Sequence, residues 1–292
     1  MANLKEIRNR IVSISSTRQI TSAMKMVSAA KLRRAQDAIT QMRPYSKKLQ
    51  EILENLSSGL DSTDGVYSQE REVKNVLFVS ITANRGLCGG FNNNVIKTIR
   101  RIADSEYKGC NITVVSVGKK SVDSFKSSPW SAKGRELFSK SIEIVDNLTF
   151  DNAAELAQIF MDEFAARNLD KVVLVYNQFK NAAVQEIQAE QFLPIVPTQN
   201  TNDKASSTDY IFEPNKEFIV QELIPKSLKT QLFKALLDSR ASEHGARMTA
   251  MHKATDNATD LINALKLSYN KARQAAITNE ILEIVAGAEA LN

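Results

Sequence analysis

The chain has 292 residues, 43% of them hydrophobic and 24% charged, which excludes a disordered or collagenous protein. Its 10 glycines and 6 prolines lie far below average usage, so turns are few and the elements between them long. The net charge is only +5, yet Met1 to Lys48 carries eleven basic residues against Glu6 and Asp37, making that segment +9 and the remainder −4.

Two cysteines, Cys88 and Cys110, support neither a disulfide framework nor a four-ligand zinc site and suit a reducing compartment. No apolar run reaches the roughly 18 residues of a membrane span. Met1 to Ile11 reads as amphipathic helix, without an apolar targeting core, so the mature chain is expected to start here.

From Asn3 to Leu56 there is no glycine and one proline, Pro44, and apolar residues recur at helical spacing at Leu4, Ile7, Ile11 and Ile14 and again at Ile20, Met24 and Val27. The slip between Ile14 and Ile20 predicts a seam that drifts around the helix instead of holding a heptad. Pro44 is expected to kink or break the helix near Arg43.

The texture then changes. Val73–Ile81, Asn111–Val117 and Lys171–Asn177 are short β-branched apolar runs, and Val184–Phe192 is a candidate fourth. Helical stretches follow Asn92 and cover Phe150–Arg167, so the alternation predicts βαβ units and a parallel sheet covered on both faces. Thr198–Asp209 is polar and reads as a loop. Between Pro225 and Gly287 the one helix breaker is Gly245, which predicts a helix of about 60 residues and roughly 90 Å, too long for a globule about 50 Å across. Its second half carries a heptad at Ala254, Ala258, Leu261, Leu265, Ser268, Ala272, Ala275, Asn279 and Leu282, an alanine-rich seam that buries little apolar area.

The expected fold is therefore α/β with long terminal helices. An antiparallel coiled coil of the N- and C-terminal helices carries a Rossmann-like parallel-sheet domain inserted between them. The expected segments are 1–58 for the first helix, 73–197 for the α/β domain, 198–224 for a loop and foot, and 225–292 for the last helix.

The glycine-rich loop Ala83–Asn92 occupies the place where a phosphate binds in dinucleotide folds. Gly86, Gly89 and Gly90 do not make G-x-G-x-x-G, no G-K-[ST] follows, and the second strand runs into Gly118, Lys119 and Lys120 instead of an acidic ribose ligand. A tight strand-to-helix turn or a subunit contact is the better reading. His244 and His252 lack partners at metal-binding spacing, Cys88 lacks a recognisable histidine, and no catalytic motif is present, so neither a metal, a cofactor nor an active site is expected. The basic N-terminal helix leaves three readings open, namely nucleic acid, a solvated surface or an acidic protein partner. A DNA-binding basic region normally continues into its own zipper, whereas here the pairing helix lies at the far end of the chain.

LKEIRNRIVSISSTRQITSAMKMVSAAKLRRAQ at the start, NRGLCGGFN in the loop and RASEHGARMTAMHKATDNATDLINALKLSYNKARQAAITNEILEIVAGAEAL at the end closely resemble the gamma subunit family of the F-type rotary ATP synthase, in the same order and over essentially the full length. The resemblance implies a noncatalytic central rotor stalk that transmits torque between an ion-driven membrane ring and the catalytic hexamer. Its implied partners are the alpha and beta subunits, the epsilon subunit and the c-ring, with no nucleic acid and no direct bilayer insertion. It also implies that Arg273 and Gln274 touch the beta catch loops, that Met24, Lys25 and Arg247 face the acidic lever of beta, and that Tyr210, Phe212 and Glu213 form a foot near the membrane ring. The regulatory cysteine insertion of the chloroplast form is absent, so thiol control is not expected. A peripheral place on the cytoplasmic side of a bacterial inner membrane is. The rival reading is a basic coiled-coil nucleic-acid-binding protein with an α/β interaction domain.

Overall fold

The computed structural model describes residues 4–57, 66–69, 71–132, 136–195 and 216–289, and the chain divides into two compact units. The first contains residues 1–29 and 247–292, and the second residues 30–246. Helices α1 (Leu4–Ser57) and α5 (Lys216–Glu289) each contribute to both.

In the first unit the two helices pair along a seam. On α1 the buried and half-buried positions include Leu4, Ile7, Ile11, Ile14, Arg18, Thr21, Lys25 and Ser28, alternating steps of three and four, flanked by half-buried Ser15, Ser22 and Met24. A heptad can be followed through these positions, and the expected seam is corrected in part: Ile20 and Val27 stand exposed and polar residues hold the register, while Met24 is half-buried. On α5 the seam runs through Met251, Thr255, Ala258, Ile262, Leu265, Tyr269, Ala272 and Ala276. It shares Ala258, Leu265 and Ala272 with the predicted seam, whose Ala254 is also half-buried, but replaces Leu261 and Ser268, both exposed, with Ile262 and Tyr269. Moving away from the Thr21–Thr255 contact, the seam runs out toward the start of α1 and the end of α5, so the pair is antiparallel.

The second unit is built on a four-stranded sheet in the order β2-β1-β3-β4, with β1 Asn75–Ile81, β2 Asn111–Val117, β3 Lys171–Phe179 and β4 Gln185–Leu193. β1 pairs in parallel with β2 and β3, as expected. β4 is antiparallel to β3, so the sheet is mixed and not wholly parallel. The cause is local: residues 180–184 are too few for a crossover, and Asn181 Oδ1 accepts the N–H groups of Ala183 and Val184 at 2.9 and 2.7 Å, closing a hairpin turn.

The pleat sends alternate side chains to opposite cores. Val76 and Phe78 on β1 join Val95, Ile96 and Ile99 of α2 (Phe91–Ser105) and Phe125, which closes the short helix α3 (Lys119–Phe125). Leu77, Val79 and Ile81 join Leu156, Phe160 and Phe164 of α4 (Phe150–Ala165), together with Leu228, Leu232 and Leu236 of α5. The sheet is covered on both faces. Thr149 caps α4 by accepting the Asn152 N–H at 3.3 Å.

The helix boundaries differ from expectation at three places. α1 passes through Pro44 without ending, and α5 begins at Lys216, with Pro225 inside it, and continues past Gly287. The polar loop expected over 198–209 lies outside the described residues.

Candidate functional site

The glycine-rich turn after β1 is closed by its own side chains. Asn92 Oδ1 accepts the Ala83 N–H at 2.9 Å, and Asn92 Nδ2 donates to the buried Cys88 Sγ at 3.2 Å. Asn84 Oδ1 accepts the Lys119 N–H at 2.9 Å, and Thr82 Oγ1 accepts that of Ser121 at 3.0 Å. These bonds tie the turn to the start of α2 and to the end of β2. Leu87 and Gly89 take φ of 62° and 59°, and Leu87 is 67% exposed, held outward at the tip of the turn. This is a tight strand-to-helix connection.

Among the described residues no group of histidine, cysteine, aspartate or glutamate side chains is arranged to hold a metal ion, and no helix is long and apolar enough to cross a membrane. Cys88 and Cys110 are not joined in a disulfide. His252 Nδ1 pairs with Asp256 one turn on, at 3.3 Å.

The residues expected to meet partners fall into three places. Arg273 and Gln274 are exposed on α5, immediately after the seam residue Ala272. Met24 and Lys25 are half-buried on α1, with Lys25 in the seam, and Arg247 is half-buried on α5. Lys25 follows Thr21 by about one turn and Arg247 precedes Thr255 by about two, so in the antiparallel pair they lie on the same side of the threonine contact. Tyr210, Phe212 and Glu213 lie outside the described residues. Lys5, Arg8, Arg10, Lys31, Arg33 and Arg34 are exposed, whereas Arg18 and Lys25 are drawn into the seam with their charged ends partly reaching water.

One feature escaped the sequence reading. Past Ala276 every described residue of α5 is exposed, including Ile277, Ile281, Leu282, Ile284 and Val285. Five large apolar side chains on one unpaired helix end form the kind of surface that partners cover.

In the second unit a polar cluster joins the β3–β4 hairpin to both long helices. The Tyr176 hydroxyl donates to Glu190 Oε2 at 2.7 Å, and Gln231 Nε2 donates to Glu190 Oε1 at 2.7 Å. Arg43 Nη2 donates to the Phe179 carbonyl at 3.0 Å and to Asp238 Oδ1 at 3.4 Å, while Oδ2 of the fully buried Asp238 has no hydrogen-bond partner. Burial pushes the Asp238 carboxyl above its ordinary value, opposed by Arg43 and Lys234. Burial, and then the Glu190 charge, push the Tyr176 phenol up as well, so it stays a hydrogen-bond donor.

A family model described as ATP synthase matches residues 3–291. The ATP synthase gamma chain of Flavobacterium johnsoniae is 61% identical over 293 residues and covers the whole of both chains. That of Flavobacterium psychrophilum is 60% identical over 299 residues, spanning all of this chain and 99% of its own. Among solved structures, one of the Euglena gracilis mitochondrial ATP synthase, containing OSCP, F1 and c-ring in rotational state 3, matches 99% of this chain and 94% of its own at a TM-score of 0.66 and 20% identity, a likeness of fold. None of these matches supports a nucleic-acid-binding protein.

Proposed function

The chain belongs to the ATP synthase gamma chain family, and from that membership we propose that it is the noncatalytic central rotor stalk of an ion-driven ATP synthase. The observation that carries the reading is the full-length identity of about three residues in five with gamma chains, including both terminal helices. The partners are the alpha and beta subunits of the catalytic hexamer, the epsilon subunit and the c-ring, at the cytoplasmic face of a bacterial inner membrane.

The geometry suits this work. One asymmetric helix pair makes different contacts with each of three chemically identical beta subunits, and only differential contact free energy can bias their nucleotide affinities in turn. Arg273 and Gln274, exposed beside the unpaired apolar end of α5, serve the beta catch loops. Exposed cations of α1, with Met24, Lys25 and Arg247, serve the acidic lever, where complementary charge selects the partner and its orientation. Tyr210, Phe212 and Glu213 serve as the foot on the membrane ring.

The test is a pulldown of the tagged chain from native membranes, followed by reconstitution into vesicles. Recovery of the alpha, beta, epsilon and c subunits, with ATP synthesis that depends on adding this chain, is the expected result. Recovery with nucleic acid and without ATPase subunits would overturn the reading.

A further inference from the structure

We propose that the β3–β4 hairpin is the joint through which the α/β domain turns the two long helices, with Arg43 and Asp238 as its positioning residues. The inference rests on the rotor reading above and names the place where torque enters the helices.

Three residues of α5, spaced seven apart, meet the hairpin in succession. Gln231 donates to Glu190 and to the Gln191 carbonyl of β4, at 2.7 and 3.3 Å. Asp238 meets Arg43, which also holds the carbonyl of Phe179, the last residue of β3. At Gly245 a Cβ would lie 3.2 Å from the Ala182 carbonyl oxygen and 3.6 Å from the Phe179 ring, so the turn itself rests against bare helix backbone. A seven-residue repeat keeps all three on one face of the helix.

Arg43 brings α1 to the same place. It precedes Pro44, which lacks the N–H that would close the helical hydrogen bond to Thr40, so the ladder of α1 is interrupted where the side chain of Arg43 grips the hairpin. Gly245 is the matching weak residue of α5. α1 thus carries its interior proline, and α5 an interior glycine, where the hairpin is held.

The chemistry of the grip argues for a task beyond packing. A buried carboxylate with one unpartnered oxygen, paired to a half-exposed arginine, stabilises a fold less well than apolar side chains of the same volume. Its directional bonds instead fix the angle between strand end and helix. A joint loaded in shear requires that property.

The experiment uses the complete complex carrying Arg43→Met, Asp238→Asn or Gly245→Ala, with Arg43→Lys as the conservative variant. ATP hydrolysis per assembled complex is compared with the ion gradient that ATP-driven pumping sustains in sealed vesicles. The expected result is near wild-type hydrolysis with a severalfold smaller sustained gradient, and an intermediate gradient for Arg43→Lys, whose ammonium keeps the charge without the rigid planar fork of the guanidinium. Poorer assembly with a wild-type gradient in whatever assembles would assign the cluster a structural role only and overturn the proposal, as would wild-type gradients throughout. A wild-type chain that restores no ATP synthesis would overturn the rotor reading, and this inference with it.

Discussion

The Thr255 hydroxyl lies 2.9 Å from that of Thr21 across the helix pair of the first unit. Each threonine also has a local acceptor: Thr21 donates to the Arg18 carbonyl at 3.0 Å, and Thr255 Oγ1 stands 2.8 Å from the Met251 carbonyl. A hydroxyl has one proton, so Thr255 divides it between the cross-helix bond and its own helix. The net worth of the contact is therefore small.

The Thr21→Val, Thr255→Val double variant is accordingly expected to stabilise the helix pair by about 1 kcal/mol, because two shape-matched methyl groups replace a shared hydrogen bond. Hydrogen exchange of backbone amides in Met251 to Ala258 measures it. Slower exchange is expected, and faster exchange would show that the hydroxyl bond outweighs the apolar burial.

Gly118 closes β2 at φ 104°, where a Cβ would fall 2.1 Å from the Thr82 carbonyl oxygen. Gly118→Ala is expected to cost more than about 3 kcal/mol, since backbone strain and overpacking add. Gly86, with nothing within 4 Å of its Cβ position, should accept alanine within about 0.5 kcal/mol. Urea unfolding of the two variants checks the contrast, and equal midpoints would refute it.

What was legible in the sequence followed from strong local patterns. The runs NVLFVSI and KVVLVYN are apolar at every second position on both faces, so they read as strands of a covered sheet and are so found. The direction of β4 was not read, although the Asn181 turn and the five-residue spacing carried it. The register of the helix pair was misread because Ile20 and Val27 attract attention, while the true seam runs through Arg18, Thr21, Lys25 and Ser28, which the hydropathy pattern cannot select. Those seam positions are set by the partner helix.

Pro44 and Gly245 teach the same lesson from the other side. Each is a helix breaker by local propensity, and each sits inside a long helix because packing on both sides outweighs a local cost of roughly 1 to 3 kcal/mol. The tertiary reason for the glycine, its approach to Ala182, has no trace in the neighbouring sequence. The partner residues needed the family resemblance, because a single exposed arginine looks like any other.

Asp238 makes stability depend on pH. Its folded carboxyl is pushed above the ordinary value of 3.8 by burial, with Arg43 and Lys234 acting against that push. A raised carboxyl favours the folded state below the ordinary value and loses that contribution as pH rises from there through the folded value. Asp238→Asn removes the titration, so the variant is expected to match or exceed wild-type stability at pH 7 and to lose less between the ordinary value and the raised one. Urea midpoints across that window decide it: an unchanged difference at every pH would show that Arg43 fully offsets the burial.

Arg273 follows the half-buried seam residue Ala272 and points outward. Removing its side chain should change the stability of the isolated chain by no more than about 0.5 kcal/mol, because nothing in the packed seam depends on it. If it reaches the beta catch loops, the cost appears only in the complex, where a guanidinium offers five donors in a rigid fork and forms charge-assisted bonds that an ammonium group cannot match. Arg273→Ala is therefore expected to lower ATP synthesis and rotation-linked hydrolysis severalfold while leaving subunit stoichiometry intact, with Arg273→Lys between the two. The alternative is an arginine in a solvated surface pair worth under about 1 kcal/mol, which would leave both rates unchanged. Wild-type synthesis and hydrolysis in reconstituted complexes carrying Arg273→Ala would remove the catch-loop assignment and shift attention to the exposed apolar residues beyond it, from Ile277 to Val285.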